Sequence, residues 1–262
     1  MDLHCMDYRS TVAEGPALSQ VNADALLLVL TSDQANTGDA VLDKLIKDAV
    51  AAEDFALKAG RALYIHRPAG VKAARLVLLA AADAKPKSYK AAVAKGLAQV
   101  KELGAAHVAV APAKGLALSA DHAKALVLGV ADATYVYRHT KPSAPKAGAL
   151  KKVTVVSAQA DAAAVKAGLA QGQAVAEGVS LGRELGNLPG NYCTPTHLGN
   201  EAKRLSREFK HIKAEVLDRR AIEKLGMGSF LSVSNGSAQP PRFIILRYHG
   251  ATAAQAPLVL VG

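Results

Sequence analysis

Short continuous runs of branched apolar residues punctuate the first half of the chain, at 25–30 (ALLLVL), 61–66 (RALYIH), 75–80 (RLVLLA) and 107–111 (HVAVA). Runs without polar alternation are what strands buried on both faces of a sheet require. Between or after them the apolar positions change to helical spacing. Residues 88–103 carry Val93, Leu97 and Val100 on one side, and residues 121–137 carry Leu126, Val130, Ala133 and Tyr137. Alternating strands and helices predict an α/β layer structure with a mainly parallel sheet.

Residues 141–152 (KPSAPKAGALKK) interrupt this pattern with two prolines, a glycine and four lysines, and offer almost nothing to bury. They read as a surface connection. A strand is predicted at 153–157 and a long helix from about 161 to 186. Gly178, Gly182 and Gly186 recur every four residues there and so share one face. A glycine inside a helix costs about 0.5–1 kcal/mol relative to alanine, so the pattern predicts close approach of another backbone.

A second unit opens at Asn187. Thr194 is placed to cap a helix with Pro195 at its first position. That helix is predicted to bury Leu198, Ala202, Leu205 and Phe209 and to turn Lys203, Arg204, Arg207 and Lys210 outward. A strand at 212–217, a short helix around Ile222, and strands at 242–248 and 257–261 complete the prediction. The expected organisation is an N-terminal α/β domain over 1–158, a linking helix over 159–186, and a second α/β portion over 187–262.

Composition narrows the possibilities. With 262 residues, half of them hydrophobic, the chain can bury a large core without disulfide or metal staples. No apolar run approaches the ~20 residues of a membrane span, so no membrane association is expected. Asp2, His4 and Asp7 occupy an N-terminus where a signal peptide would be basic and then apolar. The cysteines, Cys5 and Cys193, lie far apart, the usage of a reducing compartment, so a cytoplasmic location is expected. Lys+Arg exceeds Asp+Glu by ten, and the excess is spread along both halves rather than held in a tail. A field of that sign attracts nucleic acid or acidic surfaces, and it is also common among ordinary enzymes.

Candidate chemistry is sparse. His4, His66, His107, His122, His139, His197, His211 and His249 form no i, i+4 pair, and there is no Cys-x-x-Cys. Asp39 and Asp43 would share a helix face, and Glu53 stands beside Asp54. Solvated helix surface accounts for such pairs better than a metal site does. There is no Gly-x-Ser-x-Gly elbow and no Gly-rich phosphate loop ending in Lys-Ser/Thr. Gly226-Met-Gly228 reads as a tight turn. Cys193 stands beside a helix start with no evident base and reads as a buried small residue. Lys85, Lys87, Lys90, Lys95 and Lys101 could contact phosphate or simply form a solvated helix face.

Two segments say more. NLPGNYCTPTHLGNEAKRL (187–205) and GMGSFLSVSNGSAQPPRFIILRYHG (226–250) closely resemble the leucyl aminopeptidase family, the cytosolic two-metal leucine aminopeptidases. The first resembles the opening of that family's catalytic domain. The second resembles its Gly-Met-Gly, small-residue strand, Gly-Ser and Pro-Pro-Arg run. The resemblance extends to the alanine-rich N-terminal unit and the linking helix.

The resemblance implies a metallo-aminopeptidase that removes N-terminal residues, often leucine, from peptides with a free N-terminus. Two divalent ions, manganese or zinc, would clamp the carbonyl oxygen and activate a bridging water. It also implies a homo-hexamer with its catalytic sites on an inner cavity. In the family, a ligand lysine and a Gly-rich loop directly follow the strand resembling PLVLVG. The first ligand is therefore expected just after Gly262, and no catalytic, cofactor-binding or metal-binding residue maps onto 1–262. Residues 1–262 alone are expected to be inactive and to bind no metal. The alternative is a basic accessory or regulatory protein that binds duplex DNA, a role the resemblance also allows. A third reading, small-ligand binding by the N-terminal domain, rests on its likeness to a nucleotide-binding α/β layer.

Overall fold

The predicted apolar strands lie side by side in one six-stranded sheet of order β1-β6-β5-β2-β4-β3. The computed structural model describes residues 6–146, 148–252 and 255–262. Within the sheet β1 is Asp7–Val12, β2 Ala25–Leu30, β3 Ala62–His66, β4 Arg75–Ala80, β5 His107–Pro112 and β6 Lys152–Ser157. Every pairing is parallel except β3 with β4. The α/β expectation of a mainly parallel sheet therefore holds.

Both faces of this sheet are covered, which explains the unbroken apolar runs. Leu27, Val29, Val77, Leu79, Val108, Val110, Val153 and Val155 point to one core. There they meet helices α2 (Pro86–Val100), α3 (Ala120–Thr134) and the start of α4 (Ala162–Asn187). Leu26, Leu28, Leu30, Leu76, Leu78 and Val156 point to the other core with Leu42 and Ile46 of α1 (Ala40–Ala51). Strand β3 differs from the reading of its run. It lies at the edge and is only half-buried, because a terminal antiparallel strand has a neighbour on one side only. Strand β1, whose polar sequence gives no strand signal, is the opposite edge and is recruited by pairing with β6.

Helix α4 corrects the glycine reading. A Cβ added at Gly178, Gly182 or Gly186 would meet nothing within 4 Å among the described residues. The close approach comes earlier: a Cβ at Gly172 would lie 2.9 Å from the Val127 side chain, and Gly168 is tighter still. The first half of α4 packs on α3 through these two positions.

The chain divides into two compact units after Glu184. In the second, α5 (Pro195–Glu208) packs on the antiparallel pair β7 (Ile212–Leu217) and β8 (Phe243–Tyr248). Thr194 Oγ1 accepts the His197 N–H at 3.2 Å, as the capping pattern predicts. The buried face is narrower than expected. Gly199 and Ala202 are buried, Leu198 and Leu205 are half-buried, and Phe209 is exposed. A two-stranded sheet covers only a strip of the helix, and Gly199 lets it come close: a Cβ there would lie 2.9 Å from Val216 Cγ1.

Two strand expectations fail. The small-residue stretch between Gly-Met-Gly and Gly-Ser, which the resemblance gives as a strand, lies in helix α7 (Gly228–Ser234), which follows α6 (Arg219–Lys224) after a turn at Gly226 with φ +69°. Residues 257–261 form no strand, and Leu258 and Val261 are 88% and 94% exposed. A strand exists only through pairing, and no described strand runs beside this one. The N-terminal positions Asp2, His4 and Cys5 lie outside the described residues.

Candidate functional site

The carboxyl ends of parallel strands are where open α/β sheets bind ligands, and the turns that follow β1, β2, β5 and β6 meet there. Between them lies a crevice of about 460 Å³ lined by Glu14, Gly15, Thr37, Gly38, Lys114 and Ser157, among others. Gly15, Gly38 and Gly115 have φ of +54°, +76° and +87°, the left-handed region that glycine enters without strain. Lys114 lies over Gly38, where an added Cβ would be 3.3 Å from the lysine Cδ.

Two of the carboxylates singled out in the sequence, Asp39 and Asp43, belong to the support beneath this crevice. Asp39 is buried as the N-cap of α1 and accepts N–H groups of Ser19, Val41 and Leu42 at 2.8, 3.0 and 3.3 Å. Burial pushes its carboxyl up, and the hydrogen bonds from Ser19, Leu42 and Val41 outweigh it, leaving the group below its ordinary value. Asp43 Oδ1 accepts both the Thr37 N–H at 2.6 Å and the Thr37 hydroxyl at 2.7 Å. The reading of Asp39 and Asp43 as a solvated face is thereby corrected. They hold the turn at 36–39 in place. Glu53 and Asp54 lie exposed at the end of α1.

The histidines are dispersed. His122 is buried in a capping box with Ser119 and contacts the Ala84 carbonyl at 2.7 Å. His107 pairs with Thr154 Oγ1 at 2.8 Å, and burial together with Lys152 holds its imidazole below the ordinary value. His66 meets the Tyr64 hydroxyl at 3.1 Å, and His4 lies outside the described residues. Among the described residues no group of three or more His, Cys, Asp or Glu could hold a metal ion. Cys193 is a half-buried free thiol.

Of the five lysines near α2, three are engaged locally. Lys90 pairs with Asp132 at 2.7 Å, Lys95 donates to the Gly60 carbonyl, and Lys85 lies 3.7 Å from Asp83. Asp132 also takes Arg183 at 2.6 Å; the hydrogen bonds from Lys90 and Arg183 hold its carboxyl below the usual range against a smaller opposing effect of burial. In the second unit an open depression of about 460 Å³ is lined by Asn200, Lys203, Ser206, Arg207 and Ala214.

Comparison with known proteins assigns the two units. A family model described as "Cytosol aminopeptidase family, N-terminal domain" matches residues 27–144, and "Cytosol aminopeptidase family, catalytic domain" matches residues 180–262. The chain belongs to the cytosol aminopeptidase family. A Methylibium petroleiphilum relative described as "Probable cytosol aminopeptidase" is 54% identical over 98% of this chain and 53% of its own length. The Pseudomonas aeruginosa "Cytosol aminopeptidase" is 43% identical over 80% of this chain and 43% of its own length. A mutant tomato leucine aminopeptidase shares the fold, with a TM-score of 0.77, 24% identity, and coverage of 97% of this chain and 53% of that one. The chain thus spans about half the length of the relatives it matches. The crevice in the first unit has no signature in the sequence reading. Its glycines are spread from 15 to 115, and only the sheet brings them together.

Proposed function

We propose that the protein, at the length of its relatives, is a metal-dependent aminopeptidase that removes N-terminal residues from peptides. The observation that carries this reading is the ordered match of both family domains, over 27–144 and 180–262, on a chain 54% identical to a cytosol aminopeptidase relative. A structural neighbour under the name bottromycin maturation enzyme BotP was solved in complex with Mn, which makes manganese the first metal to test, with zinc beside it. The described residues do not themselves fit two metals, because no cluster of three ligands exists among them. No step of hydrolysis is therefore assigned to residues 1–262.

The same reading gives the first unit and the first part of α4 a supporting role, and makes 187–262 the opening portion of the catalytic domain. A homo-hexamer and a cytoplasmic location belong to this proposal. No helix among the described residues is long and apolar enough to cross a membrane. The test is a rate assay on leucine-p-nitroanilide with manganese or zinc titrated in. Residues 1–262 alone should be inactive, and the chain extended to its relatives' length should show activity that chelators abolish. Activity from residues 1–262 alone would overturn this division of labour.

A second reading, binding of duplex DNA, is favoured by one feature, the exposed Lys203 and Arg207 beside Asn200 on α5. With the net charge of +10 it makes a basic face on which phosphates could rest.

A further inference from the structure

The geometry points to a ligand site in the first unit: the crevice at the carboxyl ends of β1, β5 and β6 binds a small organic phosphate of nucleotide size. Four observations converge on it. The crevice, at about 460 Å³, lies within the range of small-molecule sites.

Its floor is main chain. Gly15 and Gly38 pack against each other, an added Cβ at Gly38 falling 3.6 Å from the Gly15 Cα, and Gly115 turns beside them at φ +87°. Bare backbone turns of this kind let a polyanion approach without a side chain in the way. Lys114 is the single basic side chain in the lining. An added Cβ at Gly38 would be 4.0 Å from its Nζ, and no ion pair among the described residues engages it. Glu14, the single carboxylate in the lining, accepts the Gln159 N–H at 2.7 Å.

The third observation is Ser157. It lines the crevice at the end of β6, is 1% exposed, and its hydroxyl has no hydrogen-bond partner among the described residues. Buried hydroxyls in folded proteins are almost always satisfied, so this one calls for a partner from outside the chain. The fourth is the apolar wall made by Leu18, Pro112, Ala113 and Leu116, against which a ring can lie. A phosphate held by Lys114 over the glycine turns, a polar group meeting Ser157, and a ring on the wall together describe a nucleoside monophosphate better than a bare anion.

The experiment is calorimetric titration of the 262-residue chain at low salt with AMP, adenosine and inorganic phosphate as probes. AMP should bind, with adenosine and inorganic phosphate each at least about tenfold weaker, since one charge-assisted contact accounts for a factor of that order. Lys114→Ala, at an exposed position, should weaken AMP by about tenfold or more and leave adenosine unchanged. Ser157→Ala should weaken AMP by several-fold with the melting temperature retained. Lys213→Ala, at an exposed position of β7 in the other unit, should change nothing. The proposal is overturned if AMP fails to bind at millimolar concentration, if adenosine binds as tightly as AMP, or if Lys114→Ala leaves AMP binding intact. It does not depend on the peptidase reading, because the titration involves neither peptide nor metal.

Discussion

Gly168 of α4 lies against the main chain at Ala120, the first residue of α3, so closely that a Cβ added to it would collide with the Ala120 carbonyl oxygen. No rotamer change relieves such a contact, since both sides are backbone. One hydrogen-for-methyl exchange would push two helices apart in a core where Val165 and Leu169 pack beside them.

Gly168→Ala is therefore expected to destabilise by about 1–3 kcal/mol, despite alanine's better helix propensity. Gly178→Ala, in the same helix but with nothing within 4 Å, should stabilise by about 0.5–1 kcal/mol. Thermal melts of the two variants should shift in opposite directions by roughly 2–4 °C per kcal/mol. Equal shifts would mean that α4 does not pack on α3 in this way.

Asp39 gives the fold an acid-sensitive joint. Its folded-state carboxyl titrates below the ordinary value of 3.8, so its contribution is complete above that value and drains away as the pH falls below it, toward the lower folded-state value. Asp39→Ala should lose about 1 kcal/mol at neutral pH, as replacement of an N-cap by alanine does, and should flatten the stability profile between pH 4 and the acid limit. Denaturant melts at several pH values check both outcomes. An unchanged acid slope would place the titrating group elsewhere.

Limited proteolysis should begin between 141 and 152. Lys146 is exposed after a turn that is tied mainly by local contacts such as the Arg138 side chain to the Pro145 carbonyl at 3.1 Å, whereas the Lys141–Pro142 bond resists trypsin. Trypsin should cut there before it cuts anywhere in 21–110, where the sheet and α2 hold the chain. First cuts within 21–110 would contradict the sheet as drawn.

Binding to duplex DNA, the second functional reading, should be electrostatic. Its affinity should fall steeply from low to physiological salt, and Lys203→Ala with Arg207→Ala should weaken it and reduce the salt slope by about 2. Filter binding or fluorescence anisotropy measures both. Absence of binding at low salt removes that reading.

The sequence alone is enough for strands β2, β4 and β5, because apolar runs with no polar alternation can be satisfied only between two packed faces. It likewise determined the Thr194 cap, a local matter of one hydroxyl and one N–H, and the family, carried by the motifs after Asn187. Tertiary structure decided whatever depends on a distant partner. Polar β1 is a strand because β6 offers it an edge, while apolar 257–261 is none because no described strand lies alongside. Small residues in FLSVS permit helix or strand alike, and packing of Phe230 edge-on against Phe243, with ring centroids 5.4 Å apart, accompanies the helix. Which glycines in α4 touch another backbone depends on where α3 passes, which no spacing within α4 encodes. For the same reason Gly15, Gly38, Lys114 and Ser157 become one crevice only when the parallel strands bring their carboxyl ends together.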